Sequence, residues 1–186
     1  SGAGASTQIK KQEVRSAGMI AFRELTKDDL SFLIEVRNEC REMLHDNSAF
    51  DLADASNWFD RLHPRFYIIE RNSVAVGYFR TSSWDETNRH LYIGCDLHAN
   101  FRGQGVAQLA YSSFLRFLFD ELGMNKVSLE VLEHNIRAQR LYRKLGFTVE
   151  GIKRQEVWRY DRYLNSQLMS MLKSEYVAPR VGVERK

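Results

Sequence analysis

Between Asn100 and Gly123 the stretch NFRGQGVAQLAYSSFLRFLFDELG sets Gly103 and Gly105 directly ahead of a long amphipathic run. A helix that begins with so little side chain leaves its first N–H groups bare, and those groups together with the helix dipole favour an anion. The missing Cβ atoms would let a phosphate approach the backbone of the turn Arg102, Gly103, Gln104, Gly105, Val106 and Ala107. A glycine turn needed only for tight strand-to-helix packing reads the same way. Two rival phosphate sites fail on their details. A P-loop closes with Gly-Lys-Ser/Thr, whereas Gly105 is followed by Val106 and Ala107. A dinucleotide fold places its glycines after the first strand of a βαβ unit, and these follow the fourth.

The elements that must position this turn alternate along the chain. A strand is expected over Met19 to Leu25, then a helix opening at Thr26 with Leu30, Leu33, Ile34 and Arg37 at helical spacing. A short helix follows in DLADASNWFDRL, with Trp58, Phe59 and Leu62 on one side. RFYIIER and VAVGYFRTSSW read as a hairpin turning at Asn72-Ser73, and His90 to Leu97 continues the sheet. The run from Gln104 to Leu122 reads as a core-facing helix of about five turns, with Gly123 as its stop. Lys126 to Leu132 is another strand, and Asn135 is placed to cap a helix that carries Ala138, Leu141, Tyr142 and Leu145 on one face. Two final strands fold over Tyr160-Asp161-Arg162. The class is α/β, a mixed sheet covered by helices on both faces, because each parallel crossover needs a helix to carry the chain back.

A chain of 186 residues is the size of one globular domain, and its net charge of +3 is spread among interspersed acidic and basic residues. That distribution gives no footprint for nucleic acid or a membrane surface. Cys40 and Cys95 have no spacing that suits a metal site, and both read as free thiols in a reducing cytoplasm. Residues 1–18 are small and polar and read as a flexible arm or a leader added for expression, 19–176 as the folded domain, and 177–186 as a tail.

RGQGVA (Arg102 to Ala107), followed by LEVLEHNIRAQRLYRKLGF (Leu129 to Phe147), resembles the two-part signature of the GNAT superfamily of acyl-CoA-dependent N-acetyltransferases. The signature is Q/R-x-x-G-x-G/A and then N-x-x-A-x-x-L-Y-x-K-x-G-F, and the resemblance runs from about Met19 to Tyr176. It implies a splayed mixed sheet with acetyl-CoA, the co-substrate, wedged between the fourth and fifth strands. The diphosphate would sit on Arg102 to Ala107, and the pantetheine would run along Asp96, Leu97, His98 and Ala99 like an added strand. Asn135 would contact the cofactor, cap its helix, or both. The reaction implied needs no metal.

By the same resemblance Tyr142 protonates the departing thiolate, although packing alone would also explain an aromatic ring there. Glu130, flanked by apolar Leu129 and Val131, is the candidate base that takes the amine's proton, with a solvated or ion-paired carboxylate as the alternative reading. Asp96 and His98 stand in reserve as bases, as does a water path. Arg137, Arg140 and Lys144 form a basic stripe that is either a solvated face or a contact for the 3'-phosphate.

The acceptor implied is a small primary amine. VRNECREML and SNWFDRL resemble the subgroup that includes ribosomal-protein and amino-sugar acetyltransferases, and YRKLGFTVEG is similar to the polyamine enzymes. Glu35, Glu39, Glu42 and Asp46 suit a polyamine, whereas Arg37 and Arg41 tilt the expectation to a nucleotide-linked amino sugar. A homodimer is admitted as the assembly. The contrasting class is a module of this fold that binds acyl-CoA without catalysis, for which an intact Tyr142 has no purpose. An aminoacyl-tRNA acceptor would call for a concentrated basic surface.

Overall fold

The computed structural model describes residues 19–178, so the expected leader over 1–18 and most of the tail over 177–186 lie outside the described residues. Seven strands make one sheet in the order β1-β2-β3-β4-β5-β7-β6. They are β1 (Ile20–Glu24), β2 (Tyr67–Arg71), β3 (Val74–Asp85), β4 (His90–Leu97), β5 (Lys126–Leu132), β6 (Thr148–Arg159) and β7 (Arg162–Leu172). Each falls on a stretch that the sequence reads as a strand. Both predicted hairpins are present, and their turn residues Asn72-Ser73 and Tyr160-Asp161 take the positive φ angles that suit two-residue turns to twisted strands. Every neighbouring pair is antiparallel except β4 with β5.

Among the described residues four α-helices cover the sheet. The helices α1 (Leu30–Cys40) and α2 (Leu52–Leu62) pack on one face around Leu33, Val36, Ile68 and Tyr78. On the other, α3 (Val106–Arg116) and α4 (Ile136–Leu145) enclose the larger core, in which Phe79 and Phe114 stack with centroids 4.1 Å apart. The helix expected from Thr26 begins instead with a 3-10 turn, Lys27–Asp29, where Asp29 accepts the Thr26 backbone N–H at 2.8 Å and binds Arg23 of β1. Of the side expected to carry Trp58, Phe59 and Leu62, Trp58 and Phe59 pack against the core while Leu62 is exposed at the end of α2, and the buried residue of the helix is Ala55. No helix among the described residues is long and apolar enough to cross a membrane.

The helix expected from Gln104 starts two residues later, because Gly105 adopts φ 77° and only then does the chain turn helical. Its last turn widens into a π-helix, Phe117–Glu121, which buries the adjacent Leu118 and Phe119 together. The apolar surface of this helix is therefore broader than a single stripe, and it also takes in Tyr111 and Leu115.

Candidate active site

The parallel pair β4 and β5 is joined only at His90 with Lys126, Leu91 with Val127 and Tyr92 with Ser128. Past Tyr92 the two strands part, and a cavity of about 870 Å³ opens between them. Its walls come from the far half of β4, from β5, from the Arg102–Ala107 turn, from α4 and from the loop that follows α1. The edge of β4 beyond Tyr92 has no strand partner on this side. An extended chain with amide groups can take that place.

At one end of the cavity Gly103 and Gly105 hold φ angles of 80° and 77°, which strain any residue with a Cβ. A Cβ at Gly105 would project into open space, so that space lies free for a ligand in contact with the backbone. The first α-helical bond runs from the Leu109 N–H to the Gly105 carbonyl, which leaves the preceding N–H groups without a partner in the helix. Val106, Ala107 and Asn135 also line the cavity, and the Asn135 side chain accepts the Ala138 N–H at 3.2 Å as a helix cap. Arg137 lies on the same wall beside Gly103, while Lys144 is turned to Gln108.

Several residues expected along the cofactor track are engaged elsewhere. Arg102 donates to the Leu97 carbonyl at 2.9 Å and to Cys40 Sγ at 3.2 Å, so its guanidinium ties the turn to β4 and α1. Gln104 donates to the Asn100 carbonyl at 2.8 Å and does not line the cavity. Leu97 does line it, but His98 turns to α1, with Nε2 3.1 Å from Glu35, and the Ala99 N–H is taken by Glu39 at 2.8 Å. For His98, Ala99 and Arg102 the cause is that α1 presents carboxylates to the end of β4 and the nearest polar groups pair with them, whereas Gln104 is taken up within the turn itself. His98 is thereby withdrawn as a reserve base. Asp96 is withdrawn as well, because it is buried against Arg80 at 2.8 Å. Gly94 opposite Arg80 makes that pairing possible, since a Cβ there would lie 2.5 Å from the guanidinium.

Tyr142 projects from α4 into the middle of the cleft and is buried. Burial pushes its phenol up to about 12, and the Tyr111 hydroxyl, donating to it at 3.3 Å, works against that rise. With its oxygen accepting from Tyr111, the Tyr142 proton is free for a further acceptor. Tyr111 was not singled out from the sequence. Cys95, also in the wall, has its thiol pushed well up by burial and is not a thiolate nucleophile.

Glu130 projects from β5 into the opposite end of the cavity. Its Oε1 binds the Lys153 ammonium at 2.6 Å, and its Oε2 lies 3.7 Å from His45 Nε2. The ion pair weighed in the sequence reading is thus formed, with Lys153 of β6 as the partner. His45 had no signal in the sequence, because it sits in the loop between α1 and α2. Glu42 from the same loop lines this end and accepts from Tyr160 at 2.9 Å. Arg37, by contrast, donates to the Ser48 carbonyl at 2.5 Å and to Asp46, and lies over the Phe50 ring; neither it nor Arg41 lines the cavity.

A family model described as the acetyltransferase (GNAT) family matches residues 30–147. Spermidine N(1)-acetyltransferase of Escherichia coli strain K12 is 24% identical over 169 residues, covering 88% of this chain and 91% of its own. Spermidine N-acetyltransferase from Vibrio cholerae, crystallised with CoA and spermine, superposes with a TM-score of 0.79 at 21% identity, covering 84% of this chain and 97% of its own. Ribosomal-protein-alanine N-acetyltransferase from Brucella melitensis superposes with a TM-score of 0.70 at 19% identity, covering 82% and 99%.

Proposed function

The chain belongs to the GNAT acetyltransferase family, and on that premise we propose that it moves an acetyl group from acetyl-CoA to a primary amine of a small cationic acceptor of the polyamine class. It is an N-acetyltransferase; the acceptor class and the residue roles are the proposal. The observation that carries the acceptor class is the separation of charge along the cleft. Glu42 and Glu130 line the end away from the glycine turn, while at the turn end Arg102 is balanced by Glu39 at 3.6 Å and Arg137 is left beside Gly103. A cationic amine suits the first end, and a diphosphate suits the second. The tilt toward a nucleotide-linked amino sugar rested on Arg37 and Arg41, and Arg37 is committed to its own loop. Relatives that act on spermidine point the same way.

In this reading the domain is the segment 19–176. The turn from Arg102 to Ala107 cradles the diphosphate through its backbone, with Arg137 as the nearest cation. Asn135 stiffens the start of α4 against the cofactor, and the pantetheine lies along the unpaired edge of β4 as far as Leu97. The thioester then falls near Tyr142, whose phenol gives its proton to the departing sulfur. Amine and thioester meet in one ternary complex, and no acetyl-enzyme forms, because both thiols at the site, Cys40 and Cys95, are held protonated by burial. The test is release of free thiol from acetyl-CoA with spermidine, a nucleotide amino sugar and an N-terminal peptide offered separately. Turnover with spermidine well above the other two is the expected result; turnover confined to the sugar or the peptide would overturn the acceptor class.

A further inference from the structure

Resting on the transfer reading above, we propose that His45 is the group that takes the proton from the acceptor ammonium, that Ser166 holds its imidazole in place, and that the charge of Glu130 beside it supports the imidazolium that forms. The loop carrying His45 is fixed from below by Arg159, a buried residue at the end of β6, which donates to the Leu44 carbonyl at 2.6 Å and to the His45 carbonyl at 3.3 Å. His134, at the start of the β5–α4 turn, pairs with the Glu42 carbonyl at 3.0 Å and holds the same loop from the other side. So fixed, His45 lines the acceptor end of the cleft with Nε2 2.8 Å from Ser166 Oγ of β7 and 3.7 Å from Glu130 Oε2 of β5. Glu130 has Lys153 on its other oxygen, and so presents only one face to the ring.

The charged groups around the ring come from every strand packed against it. Glu130 on β5 and Glu156 on β6 favour the imidazolium, while Arg80 on β3 and Lys153 on β6 oppose it. Burial outweighs these and lowers the imidazole from its ordinary 6.5, so the ring is neutral at pH 7 and able to accept a proton. An imidazole in this range is better matched to general-base work at neutral pH than a carboxylate engaged with an ammonium.

Two protons leave the acceptor nitrogen. The first passes to His45 as ammonium becomes amine, whose lone pair then forms the C–N bond at the acetyl carbonyl. When the tetrahedral intermediate collapses, the C–S bond breaks and its electron pair leaves with sulfur, which takes the Tyr142 proton. The second nitrogen proton, lost as the amide forms, balances the one Tyr142 has given. The net release is one proton, from His45 to solvent.

The experiment has two arms. Nuclear magnetic resonance titration of the His45 ring in the CoA-bound protein reads its charge without any acceptor; a midpoint below 6.5 is expected. A ring still charged at pH 7 overturns the proposal. The second arm compares pH–rate profiles of the parent, His45→Gln and Glu130→Gln. The parent should lose rate as pH falls through the His45 midpoint. In His45→Gln, kcat/KM for the amine should fall about 10²- to 10⁴-fold, the acid limb should vanish and rate should climb toward high pH, with the KM for acetyl-CoA little changed. Glu130→Gln should lose less and carry its acid limb to lower pH, since the carboxylate that raised the ring's midpoint is gone. The deep loss in Glu130→Gln with a parent-like His45→Gln profile would make Glu130 the base. A parent protein that binds CoA yet acetylates no amine would instead overturn the transfer reading, leaving the ring titration to decide whether His45 is fit to be a base.

Discussion

A tyrosine buried as Tyr142 is buried can serve only in its protonated form near neutral pH. With the phenol raised to about 12 by burial, no phenolate is present in the working range, so the group is fit to give a hydrogen bond or a proton and not to act as a nucleophile. Tyr111 fixes the direction of that hydroxyl by donating to its oxygen. Tyr142→Phe retains the ring, which packs against Tyr111 and Phe147, and removes only the donor. The loss should fall on kcat by roughly 10² to 10⁴, with the KM for acetyl-CoA nearly unchanged, because the bond to sulfur matters most as charge develops there. Steady-state kinetics with the chemical step shown to limit the rate checks this, and a parent-like kcat would assign the phenol to packing alone.

At the level of elements, the site depends on where two segments stop being regular. The glycine turn ahead of α3 keeps a left-handed backbone at two positions so that the helix opens bare toward the cleft. Gly105→Val would strain the backbone at φ 77° and set its methyl groups in the space proposed for the diphosphate. The Kd for acetyl-CoA should rise by about tenfold to a thousandfold, or about 1.4 to 4 kcal/mol, with the circular dichroism of the fold retained. Calorimetric titration is the measurement, and unchanged affinity in a folded variant would remove the phosphate cradle. The second irregular segment is the loop between α1 and α2, which hangs by its backbone carbonyls from Arg159 and His134 and in that way carries Glu42 and His45 to the Glu130 end of the cleft.

On the scale of the whole molecule, the sheet is two antiparallel halves, β1 to β4 and β5 with β7 and β6, joined through the three pairs between β4 and β5. A ligand seated where the halves part bridges them, and it binds the folded chain alone. Mass action then sets its effect: CoA at one hundred times its Kd should add about 2.7 kcal/mol, raising the Tm by roughly 5 to 11 °C for a chain of this length. Amide exchange in the far halves of β4 and β5 should slow with it. Thermal scans and hydrogen exchange with and without CoA check both; an unshifted Tm would mean that the folded chain does not bind CoA, and a raised Tm with exchange slowed away from β4 and β5 would mean that the cleft is not where CoA binds.

The sequence by itself determined the strands, the helices, the glycine turn and Tyr142, since each is a local pattern: alternation, helical spacing, a missing Cβ, or a short signature with fixed gaps. It could not determine which polar groups remain free to act. His98, Ala99, Arg102 and Gln104 all lie in the right stretch of chain, yet α1 and the turn itself claim their hydrogen bonds. Arg37 looked available to an anion and is closed inside its own loop. Lys153 on Glu130, Tyr111 beneath Tyr142 and His45 beside Ser166 are meetings between residues far apart in the chain. Only tertiary packing decides such meetings, because a charge or a hydroxyl takes whichever partner the fold brings within about 3 Å, and no spacing along the chain records that distance.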